Sequence, residues 1–481
     1  MKNVFCIFVL AATVLMPQHQ GVVAQQVSRQ ESLMAASNYI SHRQPELSPT
    51  EALPLISGND TLAWLIHCLP QGFIVTSSDR SQKPIVAWSA EGNFGEGEVW
   101  ISFLPVFMKD LKLRYQYSGS DQEELTANLQ AWNNWLNPSS ETLLFEQWPP
   151  EGWSSTGGWL FTNWTQTAPY NAYCPIDGQT QNRSVAGCPA TAMAQIVNFH
   201  HKLNDTRFDD ADDYYHNFGT GNMYWIDNDW QAHEFPSWND LNVLLDTVDA
   251  HYENGIPLSN FDKAALTYAC GAAAKQVYSS SVSGTYGINQ AYDAFIRFGY
   301  NDAQLIYPSN PGLSGMLSGN IKLALPAHLG LVNPEETVGH NVVVDGYNTD
   351  ELYHFNFGWG GSANGWYTMP PKDIPYDLTV IEGVVLDINL SNPPVAIDKT
   401  PASELKPEWS YNKNENRLIV QLPDQTDGGE LAVFDATGRM ISYQTFSGLC
   451  GSIRILHTES GIFLGRLRLA DGRTSTYKFI R

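Results

Sequence analysis

Short apolar bursts alternating with polar residues mark the first third of the chain, and stretches of helical spacing bracket them. Leu62 to Cys68, Gly72 to Ser77 and Pro84 to Trp88 read as strands, with turns at Gln71-Gly72 and Asp79–Lys83. A helix is expected over Ser28–Ser41, and helical spacing returns over Leu104–Tyr117 and Asp121–Leu136. Asn137-Pro138-Ser139-Ser140 stops the last of these, because the residue before a proline is pushed out of the helical region. The polar connector beyond it, through Trp148-Pro149-Pro150-Glu151-Gly152, is where a protease would cut.

The middle of the chain changes character. Helical patterns come first, over 188–202, 237–251 and 261–276. Strands follow at Asn341–Asp345, Leu352–Phe357 and Gly365–Met369, separated by Gly-rich turns. Helices first and antiparallel strands later predict an α+β fold in two parts. After a linker at Ser391-Asn392-Pro393-Pro394, short alternating strands predict a small β-sandwich: Arg417–Leu422, Glu430–Phe434, Gly448–Leu456, Phe463–Leu469 and Thr476–Ile480. The expected divisions are 1–24, 25–137, 138–392 and 393–481.

Composition narrows the class. A chain of 481 residues exceeds one ordinary core, and 43% hydrophobic with 12% aromatic residues excludes disorder as the main state. A net charge of −23 argues against nucleic acid as a partner, since phosphate binding rests on basic residues. Lys2, the apolar run Phe5–Met16 and Val22-Val23-Ala24 read as a signal peptide cut after Ala24, so the product is expected to be secreted or held at the cell surface. Cys68, Cys174, Cys188, Cys270 and Cys450 then remain, an odd number that leaves at least one unpaired thiol. A Cys174–Cys270 pair is conceivable. No C-x-x-C or H-E-x-x-H occurs, so neither a metal nor a cofactor is expected. His200-His201 with Asp205, Asp209, Asp210, Asp212 and Asp213 fits no calcium loop and reads as a solvated acidic stretch.

Chemistry concentrates in two segments. In Gly187-Cys188-Pro189-Ala190-Thr191-Ala192-Met193-Ala194-Gln195-Ile196-Val197, Pro189 suits the first helical position and the alanines favour helix. Cys188 is thereby expected at the N-cap, where unpaired N–H groups and the positive end of the dipole favour thiolate. A buried or disulfide-bonded cysteine is the alternative. In Gly339-His340-Asn341-Val342-Val343-Val344-Asp345-Gly346-Tyr347 the alternation predicts a strand with His340 at its start. A strand end facing a helix start across a cleft brings an imidazole within reach of a thiol. Asn356, in His354-Phe355-Asn356-Phe357-Gly358-Trp359-Gly360-Gly361, lies on the next strand and is the candidate to orient that imidazole; an aromatic turn that serves packing is the alternative.

Together these segments resemble the streptopain family of papain-like cysteine peptidases, bacterial enzymes made as zymogens. The Cys-to-His separation is close to that of papain-like enzymes. Residues 186–196 match the family's nucleophile helix, Gly339-His340 and Asp345-Gly346 its histidine strand, Asn356–Gly361 its aromatic turn, and Trp164–Asn171 its opening segment. The resemblance implies Cys188 as nucleophile and His340 as base, with Asn356 and Trp359 completing the catalytic set and Ser283 and Gly339 contacting the substrate backbone. It also implies a papain-like catalytic domain over 138–392. Phe357 departs from the tryptophan the family often carries there. Residues 25–137 are similar to the family's inhibitory propeptide, at Gly72–Asp79 and Ala90–Phe94. The last unit resembles the sorting domain of the type IX secretion machinery, at Phe434–Arg439, Gly461-Ile462-Phe463 and Lys478–Arg481, with a plain accessory module as the alternative.

The expected function is a secreted endopeptidase that hydrolyses peptide bonds of extracellular proteins and is held inactive by its own propeptide. The rivals are an acyltransferase or amidase using the same Cys and His, and a non-enzymatic adhesin on a dead scaffold.

Overall fold

The computed structural model describes residues 26–480 apart from 98, 118–120, 139–144, 334–338, 372–378, 390–406, 414–415, 423–427, 436–439, 456–461 and 470–473. The expected signal peptide and linker lie outside the described residues. So do Ala436–Arg439, Gly461 and Arg481 among the residues that suggest a sorting domain.

The first unit begins with α1 (Arg29–Arg43), where Ser28 and Glu31 form a reciprocal capping box. Four strands follow: β1 (Ser48–Ser57), β2 (Asp60–Leu69), β3 (Phe73–Ser77) and β4 (Ile85–Ser89). The sequence pattern does not announce β1, because Pro49 and Pro54 remove two ladder donors. Those prolines are tolerated because β1 is the outer strand of its sheet, paired only with β2 among the described strands. Next come α2 (Val99–Tyr117), five residues longer at its start than the spacing predicts, and α3 (Gln122–Leu136), capped by Asp121.

The middle unit runs β5 (Gln147–Trp148), α4 (Cys188–His200), β6 (Tyr214–Asn217), β7 (Met223–Ile226), α5 (Trp230–His233), α6 (Trp238–Glu253), α7 (Asn260–Ala273), α8 (Ile288–Arg297), β8 (Gln304–Ile306), α9 (Leu313–Lys322), β9 (Ala327–Val332), β10 (Gly339–Asn348), β11 (Leu352–Asn356), β12 (Gly365–Thr368) and β13 (Ile381–Leu386). Helices precede strands and the strands pair antiparallel, so the fold is α+β.

The two units are not separate bodies. One sheet runs β1-β2-β3-β4-β12-β11-β10-β9-β13-β8, and β4 joins β12 with Trp88 opposite Trp366 and Ala87 opposite Tyr367. Period-two alternation sends successive side chains to opposite faces. Val343 therefore enters a core with the helices α4, α6, α7 and α8, while Val342 and Val344 enter another. That second core mixes Trp100, Phe103 and Phe107 of α2 with Phe355 of β11, Phe357 just beyond it and Tyr367 of β12. A third core packs α1 and α3 against β2 to β4 and also takes in Leu352 and Trp366. Arg43 of α1 makes a two-pronged ion pair with Asp350, at 2.8 and 3.2 Å.

The last unit contains β14 (Glu408–Asn412), β15 (Arg417–Gln421), β16 (Gly429–Asp435), β17 (Met440–Phe446), β18 (Cys450–Arg454), β19 (Ile462–Arg468) and β20 (Thr474–Ile480). Sheets β14-β15-β18 and β17-β16-β19-β20 close on a core of Leu418, Val420, Leu431, Val433, Ile453, Phe463, Leu467 and Phe479. This is a β-sandwich.

Candidate active site

Gly187 has φ +86°, and a Cβ there would meet the Gln276 amide at 2.8 Å and the Ser283 carbonyl oxygen at 2.9 Å. Only glycine fits this turn, which feeds the chain directly into α4. The helix starts one residue earlier than the sequence suggests: Gly187 is the N-cap and Cys188 the first helical residue, with Pro189 second. Cys188 still sits among the unpaired N–H groups of a helix start.

The histidine strand meets this thiol. Asn341 donates its backbone N–H to Cys188 Sγ at 3.4 Å, so the residue next to His340 touches this thiol. His340 is buried and its Nε2 lies 3.1 Å from the Phe357 carbonyl. A carbonyl only accepts, so Nε2 carries the proton and the neutral ring keeps Nδ1 as its basic nitrogen. The ring also stacks on Phe357, with centroids 5.8 Å apart.

Asn356 is placed differently from the expectation that it holds the imidazole. Its Nδ2 donates to the Thr162 carbonyl at 2.8 Å, and its Oδ1 accepts from Gly358 N–H at 3.1 Å and from Gln195 Nε2 at 3.2 Å. The main-chain oxygen one residue further on grips the ring instead. Trp359 is half-buried beside the second core, and its indole N–H has no partner among the described residues. Ser283 lies against Gly187, but its hydroxyl is folded back on its own loop, accepting from Ser279 N–H at 3.0 Å and donating to the Ser279 carbonyl at 3.2 Å. Only its backbone is left to meet a substrate. Gly339 is exposed at the start of β10, next to His340 in the chain.

Electrostatics correct one expectation. Burial pushes the Cys188 thiol up to about 11, outweighing the Asn341 N–H bond that lowers it. Burial likewise pulls His340 down to about 4, although its bond to Phe357 acts the other way. At neutral pH this form holds a neutral thiol and a neutral imidazole, where the helix start alone predicts thiolate. At each group desolvation outweighs the hydrogen bonds that favour its charged form.

The other cysteines do not form a bridge: Cys68, Cys174, Cys270 and Cys450 are all free, so the conceivable Cys174–Cys270 pair is absent. The acidic stretch after His201 is structural. Asp209 caps the short turn Asp210–Asp212, and Asp212 pairs with Arg297 at 2.9 Å. Sequence reasoning missed Gln195, the acceptor role of the Phe357 carbonyl, and the Asn341 N–H. Backbone groups leave no trace in residue type. Gln195 does leave one, as a lone amide in a helix whose neighbours from Pro189 to Val197 are all buried.

Residues 164–367 match the profile of the peptidase C10 family, a span that contains every candidate site residue. The chain is a cysteine-type peptidase, similar over this segment to the C10 family. Streptopain of Streptococcus pyogenes serotype M1 is 23% identical to this chain over 323 residues, 62% of this chain and 71% of the relative. The thiol protease/hemagglutinin PrtT of Porphyromonas gingivalis is 24% identical over 357 residues, 70% of this chain and 38% of the relative. Among solved structures, a prointerpain A fragment from Prevotella intermedia aligns with TM-score 0.46 and 19% identity, covering 71% of this chain and 98% of that one. Active interpain A of the same species aligns with TM-score 0.35 and 22% identity, over 48% of this chain and 94% of that one. Among the described residues no helix is long and apolar enough to cross a membrane.

Proposed function

We propose that this peptidase hydrolyses peptide bonds of extracellular proteins with Cys188 as nucleophile and His340 as general base, and that residues 25–137 are its inhibitory propeptide. The observation that carries the reading is the contact of Asn341 N–H with Cys188 Sγ, which brings the start of the histidine strand to the start of the nucleophile helix. Imidazole Nδ1 takes the thiol proton and the thiolate adds to the scissile carbonyl. The oxyanion is held by N–H groups at the start of α4. The imidazolium then protonates the leaving amine, and the neutral ring activates the water that cleaves the thioester. The Phe357 carbonyl holds the ring through both steps.

The propeptide acts through the turn that carries this carbonyl. Phe103 packs on the Phe357 ring at 4.5 Å, and Glu91 and Gly97 lie against Gly361 and Ser362. Residues 1–24 direct export, 138–392 form the peptidase domain, and the sandwich within 393–481 serves sorting by the type IX machinery. The test is a time course of the purified proform with casein, for wild type and Cys188→Ala. Wild type shortening by a propeptide's length and releasing new amino termini, with an inert variant, is the expected result. Casein that survives even after propeptide removal overturns the assignment.

A further inference from the structure

Gln195 is fully buried on α4, two turns beyond Cys188, where an apolar residue would need no hydrogen bonds at all. Its Oε1 accepts from Thr162 Oγ1 at 3.0 Å and from Trp164 N–H at 3.1 Å. Its Nε2 donates to Asn356 Oδ1 at 3.2 Å. The orientation of both amides is fixed by backbone groups that cannot switch roles. Trp164 N–H requires an oxygen from Gln195, Gly358 N–H requires an oxygen from Asn356, and the Thr162 carbonyl requires the Asn356 amide nitrogen.

The two residues flanking Phe357 are thereby anchored to the nucleophile helix. Asn356 is held by Gln195, and Gly358 is held by Asn356 while it lies against Thr191 of α4. Phe357 itself donates its N–H to Asn364 Oδ1 at 2.9 Å and offers its carbonyl to His340. A continuous set of bonds therefore runs from the helix of the thiol to the group that orients the base.

We propose that Gln195 is a positioning residue that sets the placement of the His340 imidazole relative to Cys188 by locking the Asn356–Gly358 turn onto α4. The inference rests on the reading of Cys188 and His340 as nucleophile and base. An ionised carboxylate at position 195 keeps the acceptor role toward Trp164 but repels Asn356 Oδ1. A protonated one donates to it, so the Glu variant regains function in acid.

The experiment uses matured enzyme and a small peptide amide, with rates expressed per active site titrated by an irreversible thiol reagent. Gln195→Met is expected to lower kcat about 10- to 100-fold with KM within about twofold, the size of losses seen for positioning groups. For Gln195→Glu, kcat relative to wild type is expected to rise at least about tenfold from pH 8 to pH 5, because full burial at this position raises the carboxyl so that it gains its proton across that range. Wild-type kcat per titrated site and a flat Glu-to-wild-type ratio across pH overturn the proposal, because a merely structural role changes only the number of active sites. If Gln195→Met does not fold, the pH ratio of Gln195→Glu decides alone. Cys188→Ser on the same substrate separates the premises: activity there sinks the nucleophile reading, whereas an inert Cys188→Ser beside unaffected Gln195 variants sinks only the clamp.

Discussion

In the proform the Cys188 thiol is expected to react slowly and to gain reactivity with pH well past neutrality. With its pKa pushed up to about 11, only about one thiol in ten thousand is ionised at pH 7. Cysteines paired with an imidazolium at a helix start lie at about 3.5–7.5, so a matured site near 6 would be about nine-tenths ionised at the same pH. The gain in thiolate is about 10⁴-fold. Nucleophilicity falls with pKa at a slope of about 0.4–0.5, which returns about 10²-fold over five units. Exchange with an aromatic disulfide at pH 7 should then be about 30- to 100-fold faster after maturation, by the same slope. The assay follows thione release from proform and matured enzyme between pH 5 and 10, in a Cys450→Ser background because Cys450 is exposed. Cys68 and Cys174 are buried, with thiols pushed up to about 11 and about 12, and the Cys270 thiol is raised further by burial. All three are almost fully covered, whereas Cys188 is only partly so, and the reagent therefore reaches them little. A proform profile that levels off below pH 8 refutes the reasoning, because it shows that the helix start outweighs burial after all. A matured enzyme that keeps the proform profile refutes the other half, since the burial then belongs to the catalytic domain alone.

Arg43→Met removes one side of the largely buried Arg43–Asp350 pair, and the proform should lose about 3 kcal/mol, the low end for such pairs because Asp350 keeps some exposure; thermal unfolding and the maturation rate would both report it. Phe357→Trp restores the indole common in the family but overpacks the ring beside Phe103, so the proform should lose about 1–3 kcal/mol while the matured enzyme, freed of Phe103, loses less in the same melting assay. Burial raises the Glu91 carboxyl, with the charge of His354 opposing it, so its contribution to stability is complete in acid and is lost as pH rises through the folded pKa. Glu91→Gln should accordingly raise the proform melting temperature at pH 8 and leave it nearly unchanged at pH 4.

Much of the site was legible because it is local. Gly187-Cys188-Pro189 announces a helix start through the conformational needs of glycine and proline, and Val342-Val343-Val344 announces a strand buried on both faces. Strand positions such as β3 and β4 were equally plain, since β-branched and aromatic runs between turn residues have few other uses. What the sequence could not carry was pairing across long separations. Nothing in Ile85–Ser89 names Gly365–Thr368 as its partner, so the shared sheet was invisible and two units were expected where one sheet exists. The protonation of Cys188 failed for a related reason. The helix start is a local feature, but the desolvation that opposes it comes from residues far along the chain.

That shared sheet changes what activation has to achieve. A propeptide that only plugged a cleft would leave once its tether was cut. Here β4 hydrogen-bonds to β12, Trp88 stacks near Trp366, and Phe103 and Phe107 complete the core beneath Phe357 and Tyr367. Burying an aromatic ring contributes about 1.5–3 kcal/mol. Three such rings therefore hold the halves together with about 5–9 kcal/mol, the range from a complex of about 0.2 mM to a submicromolar one before the ladder and the Arg43 pair are counted. Cutting the chain between Asn137 and Gln147 breaks none of these contacts. Inhibition should therefore outlast the cut and end only when β4 is peeled from β12 or destroyed, which makes digestion of the freed propeptide, rather than cleavage of the connector, the step that commits the enzyme to activity.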